Sequence, residues 1–157
     1  MLQPGDPAPD FTLTDQHGEP VTLSALRGRP VVLYFYPRAG TPGCTTQACG
    51  VRDHRSELAA AGAAVYGIST DAPEKLAGFD SEHGLGFPLL SDPDHAVAEA
   101  YGTWVEKSMY GRTHMGVQRA TFVLDPEGVV REVIPKARPK THAEDVLAAL
   151  TRIETAA

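Results

Sequence analysis

The chain has 157 residues, 42% of them hydrophobic and 22% charged, with a net charge of -6 and only two cysteines. That length sets the expectation of one domain over residues 1–157, able to bury an ordinary core. A net negative chain lacks the clustered Lys and Arg that phosphate neutralisation needs, so a nucleic-acid partner is not expected. No basic-then-apolar leader opens the sequence and no apolar run nears spanning length, so no membrane partner and a cytoplasmic location are expected.

After a Pro- and Gly-rich start, FTLTDQHGEPVTLSAL predicts two short strands around a turn at Gln16–Pro20. Val31–Tyr36 is an unbroken apolar and aromatic run, the pattern of a strand buried on both faces, and Pro37 ends it. In TPGCTTQACGVRDHRSELAAAG, Thr41 reads as an N-cap, Pro42 as the first helical residue and Gly62 as the stop. AAVYGIST at 63–70 predicts a second buried strand. Asp71 with Glu74 predicts a capped helix ending at Gly84, and Asp92 caps another with Pro93 inside and Gly102 after it. RATFVLDPEGVVREVI predicts a hairpin around Asp125–Gly128. The last helix opens on a Thr141–Glu144 capping box and places Val146, Leu147, Leu150 and Ile153 on one face.

Strands alternating with helices imply an α/β fold with parallel strands, and the hairpins give the sheet an antiparallel part. A mixed central sheet flanked by helices, with an N-terminal β-hairpin and a cysteine at the first βα turn, reads as a thioredoxin-like fold.

Cys44 falls in the first turn of the helix that starts at Thr41–Pro42. Backbone N–H groups there lack intrahelical partners, and the positive end of the helix dipole favours a thiolate over a thiol. Its polar, tightly turning neighbours Gly43, Thr45, Thr46 and Gln47 argue against a mere core position. Cys49 lies five residues on. In an intact helix such a pair stands about 8–9 Å apart at Cα, beyond the about 7 Å reach of a disulfide. A bond between them requires the first turns to unwind. The spacing is not C-x-x-C, the usual mark of a thiol–disulfide oxidoreductase or redox chaperone. The six histidines show no ligand spacing, so a metal-binding module has little support.

These residues resemble the peroxiredoxins. Pro37, Thr41 and Cys44 match the family signature P-x-x-x-T-x-x-C, and FYPRAGTPGCTTQACGVRD is similar to the Q-type subfamily, also called bacterioferritin comigratory proteins. GISTD, FPLLSD and the segment 101–128 extend the likeness to nearly the whole chain. The resemblance implies a thiol peroxidase that reduces hydrogen peroxide and organic hydroperoxides. It makes Cys44 peroxidatic and Cys49 resolving, and it promotes Arg119 to a site residue facing the sulfur. Thr41, the backbone of Gly43 and Arg119 would be the donors, Pro37 a shield and Gln47 a support. Implied too are a sulfenic acid, a Cys44–Cys49 disulfide, recycling by thioredoxin or a similar dithiol, no metal or organic cofactor, and a monomer. Arg38 reads equally as a steering charge or a solvated one, and Trp104 and Tyr110 are expected to pack near the site.

Overall fold

A computed structural model describes the backbone of residues 1–156 and the side chains of 1–154. The strands are β1 (Thr12–Asp15), β2 (Pro20–Thr22), β3 (Val31–Phe35), β4 (Ala64–Ser69), β5 (Leu89–Ser91), β6 (Trp104–Met109), β7 (Arg112–Val117), β8 (Ala120–Leu124) and β9 (Val130–Ile134). The helices are α1 (Pro42–Asp53), α2 (Arg55–Ala60), α3 (Pro73–His83), α4 (Ala96–Tyr101) and α5 (His142–Ala156). Seven strands form one sheet in the order β2-β1-β5-β4-β3-β8-β9, while β6 and β7 make a separate ribbon. β3, β4 and β5 run parallel; the β1–β5, β3–β8, β1–β2 and β8–β9 pairs are antiparallel.

The unbroken apolar run of β3 is explained by its central place. All five of its residues are buried, and alternate side chains enter two different cores. Val32 and Tyr34, with Tyr36 beyond the strand, pack with Cys44, Ala48 and Val51 of α1, Leu76 and Phe79 of α3, and Val146, Ala149 and Leu150 of α5. Val31, Leu33 and Phe35 face the opposite side with Phe122, Leu124, Val97 and Tyr101. Each fully buried apolar side chain of this size contributes about 1.5–3 kcal/mol, so β3 ties both layers together.

Several boundaries differ from expectation. The predicted helix to Gly62 breaks at His54, whose ring Nδ1 lies 2.8 Å from the carbonyl of Gly50 and competes for a helix acceptor. His54 is therefore the junction between α1 and α2. Asp71 does not cap α3, because the N-cap is Ala72; its carboxylate turns back toward Ala39. Asp92 does serve α4, accepting the N–H groups of Val97 (3.2 Å) and Ala98 (2.9 Å), but from outside the helix. The α4 N-cap is His95, and Pro93 precedes the helix. At α5 the Thr141 hydroxyl donates to Asp145 (3.0 Å), the residue after the expected Glu144. Glycines 62, 84 and 102 end their helices with positive φ, as read from the sequence.

Candidate active site

α1 begins on Thr41 as N-cap with Pro42 at the first position, and no side chain caps it. The Thr41 hydroxyl instead donates to the carbonyl of Arg38 (2.9 Å), closing the loop that leaves β3. The first-turn N–H groups of α1 are thus not covered by their own N-cap. Cys44, Gln47, Ala48 and Val51 form the buried stripe of the helix, at helical spacing. Cys44 is only 2% exposed. Cys49 lies off that stripe, half-buried, and both thiols are free.

Arg119, between β7 and β8, closes over the helix start. Its Nη1 donates to Gln47 Oε1 at 2.6 Å, and its Nη2 lies 3.1 Å from where a side chain on Gly43 would begin. Glycine at 43 therefore lets the guanidinium rest against the backbone beside Cys44. Gln47 is fully buried, and its amide nitrogen has no partner among the described residues. Since Gln47 is neutral, this hydrogen bond leaves the Arg119 charge unneutralised. Pro37 is half-buried and lines two grooves. One, of about 430 Å³, contains Val105, Lys107, Arg119 and Lys136. The other, of about 620 Å³, contains Arg38, Trp104, Lys107 and Met115.

The structure thus brings together Gly43, Cys44, Gln47 and Arg119, with Thr41 at the helix start and Pro37 at the mouth. Three neighbours escaped sequence reasoning. Lys107 on β6 lays its stem along Gly116 and donates to the carbonyl of Val117 at 2.5 Å. Burial pulls its ammonium below the usual value, the charge of Arg119 adding to this and Cys44 opposing it. Tyr34 packs in the same core as Cys44. Burial drives its hydroxyl well above the ordinary range, with Tyr36 and Cys44 adding to the effect. The His142 ring lies tilted 5.2 Å from that of Tyr34 and meets Thr121 Oγ1 at 2.7 Å. Lys107 and His142 reach the site only through long-range packing, which leaves no local sequence mark.

Trp104 does line the groove, with its ring stacked 4.0 Å from that of His95. Tyr110 does not pack near the site. It is 97% exposed at the ribbon tip, because Tyr110 and Gly111, both with positive φ, form the two-residue turn joining β6 to β7. Among the described residues, no cluster of three or more His, Cys, Asp or Glu side chains could hold a metal ion.

Residues 4–133 match the AhpC/TSA family. The chain is 50% identical over 146 residues to a putative peroxiredoxin, bcp, of Haemophilus influenzae, covering 93% of this chain and 94% of that one. This chain is a peroxiredoxin of the AhpC/TSA family. Among solved structures, the peroxidoxin BcpB of Mycobacterium tuberculosis superposes with a TM-score of 0.86 at 42% identity, covering 98% of this chain and 99% of that one. A bacterioferritin comigratory protein of Xanthomonas campestris, described for its alkyl peroxide reduction activity, superposes with a TM-score of 0.87 at 38% identity, covering 91% of each chain. The peroxiredoxin is a thiol peroxidase with the thioredoxin-like fold. No helix among its described residues is long and apolar enough to cross a membrane.

Proposed function

We propose that Cys44 is the peroxidatic residue and Cys49 the resolving one. The observation that carries the reading is the guanidinium of Arg119 held against Gly43 by Gln47, beside a buried thiol at an uncapped helix start. A thiolate at Cys44 attacks one peroxide oxygen, the O–O bond breaks, and the departing alkoxide or hydroxide takes a proton. Negative charge spreads over sulfur and both oxygens in the transition state. Arg119 and the free N–H groups of the first turn are donors suited to it. The Thr41 hydroxyl, whose hydrogen is directed at Arg38, offers its lone pairs to the proton of an incoming hydroperoxide. Pro37 shields the sulfur from water.

The sulfenic acid then condenses with the Cys49 thiol, releasing water and forming the disulfide. This step follows unwinding of the first turns of α1, since an i,i+5 pair cannot bridge within a helix. Thioredoxin or a similar dithiol reduces the disulfide by exchange. The enzyme acts as a single-domain monomer in the cytoplasm, on hydrogen peroxide and organic hydroperoxides, with no metal or organic cofactor. The burial of Cys44 favours a small peroxide over a protein disulfide as the first partner, which sets this reading above a thiol–disulfide oxidoreductase. Stopped-flow peroxide reduction separates the roles. Cys44→Ser is expected to abolish it, whereas Cys49→Ser keeps one turnover and accumulates sulfenic acid. Full activity in Cys44→Ser would overturn the assignment.

A further inference from the structure

The GISTD segment ends β4 and carries Asp71, whose carboxylate lies between the loop after β3 and the first turn of α3. Its Oδ2 accepts two hydrogen bonds: the backbone N–H of Ala39 at 2.7 Å and the hydroxyl of Ser69 at 2.8 Å. Its Oδ1 lies 3.3 Å from the ammonium of Lys75. The Asp71 carbonyl in turn accepts the hydroxyl of Ser91, on β5, at 2.6 Å. The Asp71 side chain is 9% exposed, and Ala39 is 3% exposed. Ala39 stands midway between Pro37 and Thr41, in the loop whose end is the N-cap of the peroxidatic helix.

A buried N–H needs a partner, and that of Ala39 finds it in the Asp71 carboxylate. The tie from Thr41 to Arg38 is local, within the same turn. The Tyr36 N–H, at the start of the loop, donates to the Ile68 carbonyl of β4 at 3.0 Å, and the bond from Ala39 to Asp71 fixes the middle of the loop to the sheet, through Ser69 and Ser91 at the ends of two parallel strands.

We propose that Asp71 is a positioning residue for peroxide reduction. Through the Ala39 N–H it holds Pro37 and Thr41 at their places around the Cys44 sulfur. The proposal rests on the reading of Cys44 as the attacking residue. Only one oxygen is required for this work, because the same Oδ2 serves Ala39 and Ser69. An asparagine with its carbonyl oxygen in that place keeps both bonds and loses only the exposed side of the interaction, toward Lys75. The chemistry therefore needs an acceptor at position 71, and the negative charge is dispensable.

That distinction supplies the test. Asp71→Ala is expected to lower kcat/KM for hydrogen peroxide at least tenfold and to speed exchange of the Ala39 amide at least tenfold. Asp71→Asn is expected to restore kcat/KM to within threefold of wild type and to return the Ala39 amide to its protected state. Wild-type kcat/KM in Asp71→Ala would overturn the proposal, as would equal damage in the alanine and asparagine variants. If Asp71→Ala does not fold, Ser69→Ala takes its place, removing only the hydroxyl that braces the carboxylate. A loss of threefold or more in kcat/KM is then expected, and an unchanged value overturns the proposal. Exchange at Ala39 is read whether or not the protein turns over. A failed Cys44 assignment, seen as activity in Cys44→Ser, is thus distinguishable from a failed anchor.

Discussion

His142, the first residue of α5, couples stability to pH through a ring the proposed chemistry does not use. It is 1% exposed, one nitrogen meets Thr121 and the other has no partner among the described residues. Burial lowers its pKa from 6.5 to about 4; the nearby Arg119 charge pushes the same way and Asp145 opposes it. Below pH 6.5 the unfolded chain binds a proton at this ring that the folded chain does not, so stability falls as pH drops. The loss is complete only as pH reaches the folded value near 4. A shift of this size corresponds to about 3 kcal/mol across that window, a large share of a typical domain's 5–15 kcal/mol. Urea unfolding of the reduced protein at several pH values between 7 and 4.5, for wild type and His142→Gln, isolates the effect. Carboxylates titrate in both chains and cancel in the comparison. Wild type should lose stability more steeply below pH 6.5 than the variant. Parallel pH profiles, or a His142 ring titrating near 6.5 by NMR in the folded protein, would refute the reasoning.

Two other substitutions probe the site and its frame. Gly43→Ala places a methyl group 3.1 Å from Arg119 Nη2, so the guanidinium must shift while Gln47 holds its other arm. Helix propensity favours alanine by about 1 kcal/mol, so equal or higher thermal stability is expected together with a three- to tenfold lower kcat/KM. Arg52 donates to the carbonyl of His83 at 2.7 Å, tying the end of α1 to the end of α3. Arg52→Ala should cost about 1 kcal/mol in chemical denaturation and speed amide exchange across residues 49–53.

Much of the reactive helix was legible because its signals are local. Thr41, Pro42 and Cys44 stand at the N-cap, first and third helical positions, and the apolar run of β3 announces a strand covered on both sides. The terminal helix was legible through its stripe, of which Val146 and Leu150 are buried. Elements with weaker patterns were missed. β5 has three residues, too few to show a period. The ribbon carries polar residues on both faces and joins no layer of the main sheet. Asp71 read as a cap because its spacing to Glu74 is right, yet a bond across 32 positions of sequence claims the carboxylate. Arg119 could be read alone only as a cation at a strand's start. Resemblance gave it a role, and the contact with Gln47 across 72 positions gives that role its geometry.

The missing side-chain cap on α1 has a thermodynamic consequence. Most helices carry the stabiliser of their first turn as a permanent part of the sequence, but here Thr41 spends its hydroxyl on Arg38 and leaves that task to whatever anion sits at the helix start. In the chemistry proposed for Cys44, the attacking thiolate would fill it, worth about 0.3–1 kcal/mol to the helix by charge alone. Conversion to a neutral sulfenic acid would withdraw that increment at the point where the proposed disulfide needs the first turns to open. In the proposed cycle the first turn would thus lose a small stabilising charge just as it must open, while the buried stripe of Cys44, Gln47, Ala48 and Val51 keeps the rest of the helix in place.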